Sequence, residues 1–206
     1  MQDIQNLNTR IQAFWSWFAE TEGAIREYFA EEEDIIDKAA LIESIDNKVL
    51  DFGLFSWQIA PGFSRPFSLT ISPNGNKERL KISKMIIQSA PSLSDWEFNY
   101  AKPAQDEALA FSLYDDFLVE QAVDASQWRY ALVKKTDGRL VVILEARNVR
   151  HLDADTQRVA GEQVVANLLG EELMINHVHR VEVVEELEEE HRAGSAPILG
   201  LKNFTF

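Results

Sequence analysis

Residues 67–100, FSLTISPNGNKERLKISKMIIQSAPSLSDWEFNY, constrain the fold of this chain more than any other stretch. Phe67, Leu69 and Ile71 alternate with Ser68, Thr70 and Ser72, the two-residue period of a strand with one buried face. Pro73-Asn74-Gly75 ends it, because proline cannot donate to a ladder and Asn-Gly accepts positive φ. Asn76 is then the expected N-cap of a helix. Leu80, Ser83, Ile86, Ile87 and Ala90 fall on one face of that helix, while Lys77, Lys81 and Lys84 fall on another. Pro91 stops it, and Trp96, Phe98 and Tyr100 restart the two-residue alternation. Strands joined by a helix of this length can lie parallel, with a right-handed crossover.

Upstream, the chain reads as helical. Ile4, Leu7, Ile11, Phe14, Phe18, Ile25 and Tyr28 recur at three-, four- and seven-residue steps, and Trp15 and Trp17 widen the stripe into an aromatic face. Gly23 is a point where this helix can bend or break. After the acidic run 31–33, Asp34 is placed to cap a second helix with Ile35, Ala39, Ile42, Ile45 and Val49 inward. The two make a helical hairpin that must pack on something. Gly53 closes it, Leu54–Ala60 reads as a strand, and Pro61-Gly62 as a turn.

Downstream, Leu109–Tyr114 and Phe117–Gln121 are short strand candidates around Asp115-Asp116. Trp128–Lys135 and Arg139–Ala146 flank Thr136-Asp137-Gly138, the strongest hairpin signal here. Leu140–Leu144 is apolar on both faces, as a central covered strand requires. Asp153 begins a helix over Ala154–Leu169, with Ala160, Val164, Val165 and Leu168 inward and Gly170 where a left-handed cap belongs. Leu173–Val184 reads as a last long strand, followed by a solvated connection, EELEEEHRAGSAP, and an apolar end that packs back. The expected fold is α+β. It is a single domain over 1–206, with an N-terminal helical hairpin (1–52) packed on a mixed, mainly antiparallel sheet with two further helices (53–206).

Charge and composition limit the function classes. Thirty-four acidic residues against twenty basic give a formal net charge of −14. Such a field repels nucleic acid and anionic membrane and suits a cationic protein or peptide; it also simply keeps a protein in solution. The absence of cysteine excludes disulfides, thiolate nucleophiles and cysteine-based metal centres. No basic leader with a long apolar core opens the chain, and no run is long enough to span a bilayer, so a cytoplasmic location is expected.

No glycine pair has the spacing of a dinucleotide or phosphate loop, and neither GxSxG nor HExxH occurs. His177-x-His179 is the best metal candidate, since residues two apart on a strand share a face. No second ligand pair accompanies it, and Ile175, Val181 and Val183 share the face, so neither metal nor other cofactor is expected. Asn74, Gly75 and Asn76, opening onto Lys77 and Lys81, form a candidate anion site from helix amides and ammonium groups; the same lysines also suit a solvated helix face. Asp115-Asp116, Glu171-Glu172 and the run after Val184 are abundant carboxylates, but adjacency in sequence does not converge them on a cleft, and solvated charge is the expected state.

FWSWF in the first helix, ISPNGN before the central one, Ala90-Pro91 and Trp96 after it, and LLGEELMI late in the chain resemble an uncharacterised bacterial protein family. The resemblance covers most of the length and implies a bacterial cytoplasmic α+β domain; it carries no known activity and no functional residues. Two readings follow. The first is a non-enzymatic acidic interaction protein using Glu185, Glu186, Glu188, Glu189 and Glu190 against a cationic partner. The second is a hydrolase or transferase of unfamiliar type, using the Asn74–Lys81 loop or His177 and His179.

Overall fold

The computed structural model describes residues 2–29, 38–105 and 109–205. The side chain of Ile4, the acidic run 31–33, the Asp34 cap and Ile35 lie outside what is described. The fold is α+β, in two compact units that meet in sequence between Ala101 and Lys102. Residue 52, where the helical elaboration of the expected single domain ends, lies inside the first unit. The helices of the first third belong with the sheet that follows them.

In the first unit, α1 (Gln2–Phe29) runs unbroken through Gly23, and α2 (Lys38–Leu50) follows. Then come β1 (Ser56–Pro61), β2 (Phe67–Ser72), α3 (Lys77–Gln88) and β3 (Trp96–Asn99). The sheet order is β1-β2-β3, with β1 antiparallel and β3 parallel to β2, so α3 is the crossover that the central stretch predicts. Asn74 and Gly75 take φ of 51° and 69°, and Asn76 caps α3 through its side chain. Ile11, Phe14, Trp15, Phe18 and Ile25 of α1 share one core with Ile59, Leu69, Ile71, Ile86 and Trp96. The rings meet edge to face, Phe18 on Trp96 at 5.0 Å and Trp15 on Phe98 at 4.8 Å, the arrangement their quadrupoles favour. On α2 the inward residues are Leu41, Ile45 and Val49; Ala39 is exposed and Ile42 only half-buried, one step round from the expected stripe.

The second unit begins with β4 (Ala110–Tyr114) and β5 (Glu120–Asp124), a two-stranded antiparallel hairpin. The strand expected over Phe117–Gln121 is therefore displaced: residues 115–118 make the turn. Next are β6 (Arg129–Lys134), β7 (Leu140–Glu145), α4 (Ala154–Leu169), α5 (Glu171–His177), β8 (Val178–Val184), α6 (Glu189–Arg192) and β9 (Ala196–Pro197). Their sheet runs β8-β7-β6-β9, with β6 and β7 antiparallel around Asp137-Gly138 and β8 parallel to β7. Among the described residues there are thus three sheets where one was expected.

β7 is buried along both faces. Val142 and Leu144 meet Ala160, Val164, Val165 and Leu168 of α4 in one cluster, while Val141 and Ile143 pack with Ala131 and Leu187 in another. The long strand expected over Leu173–Val184 is half helix, because α5 restarts at once after α4. Gly170 makes that possible with φ 78° and ψ 152°, a glycine-only region rather than the left-handed helical one. Its amide closes α4 on Ala166, and the backbone of Lys102–Ala104 packs where a Cβ would stand. Among the described residues no helix is long and apolar enough to cross a membrane.

Candidate functional site

The loop at 74–81 is a structural joint. Asn76 Oδ1 accepts from the amides of Glu78 and Arg79, both at 3.0 Å, and so takes up donors an anion would use. Asn74 Oδ1 accepts from Ser56 Oγ at 2.6 Å and from Ser72 Oγ at 3.2 Å, while Nδ2 donates to Leu54 O. Arg79 donates to the same carbonyl. Lys81 is paired with Glu78 at 2.8 Å, and Lys77 is exposed.

His177 and His179 do not share a strand face. His177 is the last residue of α5 and His179 lies exposed in β8, so the spacing that would let both reach one ion is lost. Among the described residues, the grouping with ligand atoms near one another is Glu188, Glu190 and His191, at the start of the four-residue α6.

The run Glu185–Glu190 is folded over the sheet. Leu187 is 2% exposed, within the cluster on the outer face of β6 and β7, and its amide donates to Glu145 at 3.0 Å. Glu185 pairs with Arg150 at 2.9 Å; Glu186 pairs with Arg192 at 2.8 Å and Arg147 at 3.2 Å. Glu188, Glu189 and Glu190 stand exposed beyond them. Glu171, read from sequence as solvated, is buried instead: its carboxylate accepts from Lys102 N at 3.0 Å, and its own amide donates to Lys102 O.

Two features were not legible beforehand. One is a groove of about 510 Å³ in the first unit, lined by Asp46, Val49, Leu50, Phe55, Ser56 and Trp57. Asp46 there accepts from the Trp57 indole at 2.6 Å. The other is the tip of the β4–β5 hairpin. Phe117, Leu118 and Val119 are 84%, 81% and 53% exposed, with Tyr114 beside them at 67%. The turn is held from within: Asp115 Oδ1 accepts from the amides of Phe117 and Val119, both at 2.9 Å, and Oδ2 from Gln121 Nε2. These bonds, the Val119 amide foremost, hold the Asp115 carboxyl below its usual range, against the opposing charge of Asp153. Asp153 is itself held low by the Thr156 hydroxyl and amide at the start of α4. Asp124 is likewise lowered by Ser126. The available signal was Asp115, an aspartate able to bond its own downstream backbone, before a run without polar alternation.

A second stapled loop joins β1 to β2. Glu97 accepts from the amides of Phe63 at 2.6 Å and Ser64 at 2.9 Å, which lowers its pKa, and Phe63 stands fully exposed at the apex. In comparisons with known proteins, no family model, no curated protein and no solved structure matches this chain.

Proposed function

We propose that this chain is a non-enzymatic binding protein that meets a cationic protein or peptide, in the cytoplasm of a bacterial cell. The observation that carries the reading is an uninterrupted stretch of negative charge in the second unit. Residues 103–128 hold six carboxylates, at 106, 107, 115, 116, 120 and 124, and no lysine, arginine or histidine. Asp115, on the hairpin, lies close enough to Asp153, at the head of α4, to feel its charge, and hydrogen bonds keep both ionised. Placing like charges together opposes folding, whereas a cation brought to them is attracted at long range. Glu188, Glu189 and Glu190 add a second exposed acidic stretch on the same unit. Glu185 and Glu186, facing arginines, contribute less net charge to a visitor.

The test is affinity capture from extracts of the source cells, followed by association kinetics with each purified captured protein. At least one captured protein should be basic, with an association rate that falls about tenfold or more between low and moderate salt, since charge steering is screened. Replacing Asp116 and Glu120 by their amides, or Glu185, Glu186, Glu188, Glu189 and Glu190 by Gln, should slow that association at low salt with circular dichroism unchanged. Rates indifferent to salt and to both sets of substitutions would remove the reading.

A further inference from the structure

We propose that the tip of the β4–β5 hairpin is an apolar anchor, with Phe117 and Leu118 inserting into an apolar stripe bordered by lysine or arginine on a basic amphipathic partner helix. This rests on the binder reading above and narrows it to one element. Phe117 and Leu118 are neighbours in sequence and both almost wholly exposed, on a turn fixed by three hydrogen bonds to Asp115. The tip is therefore pre-formed, and little ordering cost is left for the moment of binding.

Leu118 gives a second, independent reason. Its φ is 60°, in the left-handed region where leucine is costly and glycine or asparagine is free. The Leu118 amide donates to Asp115 O and the Asp115 amide to Val119 O, so the turn closes through main-chain atoms that any residue supplies. No requirement of the turn selects leucine at 118, and an exposed, strained apolar side chain is a cost to the fold alone. Such a departure from local preference marks a position kept for contact with something else.

Charge chooses the occupant. The apolar tip is flanked by Asp116 and Glu120, both exposed, and by Asp115, with Asp124 further along β5. A second copy of the tip would bring the same carboxylates face to face, and an anionic bilayer would be repelled. A helix that pairs leucine with lysine meets both parts of the tip at once.

The probe is a 14-residue amphipathic helix of leucine and lysine, with oligolysine of equal charge as its control and zwitterionic phosphatidylcholine vesicles as a third arm. Each is titrated into the full chain and into L118G, F117S and D116N/E120Q. The leucine–lysine helix should bind the native chain and lose about tenfold or more with L118G or F117S, which is 1.4 kcal/mol. D116N/E120Q should lose about threefold and flatten the salt dependence. Oligolysine should bind the native chain and L118G alike. L118G should melt no lower than the native chain, because glycine relieves the left-handed backbone, so its loss of binding is not a loss of fold. If both peptides bind but L118G and F117S bind the helix as well as the native chain does, the anchor is wrong and the acidic binder stands. If neither peptide binds at low salt, both fall. Vesicle binding lost in L118G, or tip-dependent dimers in sedimentation, would overturn the proposal in favour of a lipid surface or a second copy.

Discussion

Gly161 stands in the interior of α4, where glycine is the least favourable residue after proline, and the reason lies in the sheet beneath it. A Cβ built at this position would stand 2.6 Å from Val183 Cγ2 and 3.2 Å from both Leu144 Cδ1 and Val181 Cγ1. G161A therefore sets two terms against each other. Replacing glycine by alanine in a helix interior recovers about 1 kcal/mol of propensity. Forcing a methyl into filled space costs about 1–3 kcal/mol. Val183 cannot easily swing aside, since its branched side chain has few rotamers, and the other two contacts close the remaining directions. The clash wins, and the expected net loss is about 1 kcal/mol, a fall in melting temperature of roughly 2–4 °C for a chain of this size.

The mechanism is isolated by V183A, which removes the nearest methyl. In that background the clash term is mostly gone and the propensity gain survives, so adding G161A should be neutral or stabilising by up to about 1 kcal/mol. The coupling between the two sites should then be about 1–2 kcal/mol, well above the scatter of independent sites. Urea unfolding of the native chain, both single variants and the double variant, followed by ellipticity at 222 nm, measures it. A G161A protein more stable than the native one, or an equal effect of G161A in both backgrounds, would refute the reasoning.

Two further outcomes are expected. Glu97 has a folded pKa below its ordinary value of 4.5 because it accepts from the 63–64 loop, so its contribution is present above that pH and lost as pH falls through the lower folded value. The melting temperatures of the native chain and E97Q should therefore differ modestly near pH 6 and converge in acid; a constant gap down to pH 2 would show that the carboxylate's charge does not hold the loop. Trp15, 4% exposed, donates from its indole to Ile86 O at 2.7 Å, so W15F should cost about 2–3 kcal/mol from the lost bond and the space left behind. A loss below about 1 kcal/mol in the same urea assay would count against this packing of α1 on α3.

What the sequence made legible is what neighbours in sequence decide. Asn76, Asp153 and Asp137-Gly138 act within a few residues of themselves, and the structure places each in the cap or turn expected of it. The errors fall where a distant partner or a competing turn decides. Residues 171–177 carry an apolar pattern short enough to serve a strand or a helix, and the choice is made by Lys102, 69 residues away, whose amide and carbonyl are both met by Glu171. A buried glutamate that completes a backbone pair has no signature in its own neighbourhood. At 117–121 the β-rich composition is strand-forming material, but the strand begins only at Glu120. The Asp115 carboxylate accepts from the amides of Phe117 and Val119 in the turn and from the Gln121 side chain in β5, and the ladder resumes only at Glu120.

The candidate sites divide on the same physical line. In sequence alone the Asn74–Lys81 loop offers free donors; in the fold Asn76 and Glu78 take them up, and a capped, charge-paired helix start remains. The acidic run looked uniformly solvated because five carboxylates outweigh one leucine in any average over the segment. Yet Leu187, buried against Ala131, Val141 and Ile143, is the residue that orients it. With Leu187 inward, Glu185 and Glu186 stand near Arg147, Arg150 and Arg192, while Glu188, Glu189 and Glu190 remain exposed. A stretch that reads as one charge cluster is therefore two: an inner pair facing arginines, and an outer three exposed to solvent. On the binder reading proposed above, that division favours the hairpin tip over the acidic run, because the tip's carboxylates lie in a stretch without a basic residue.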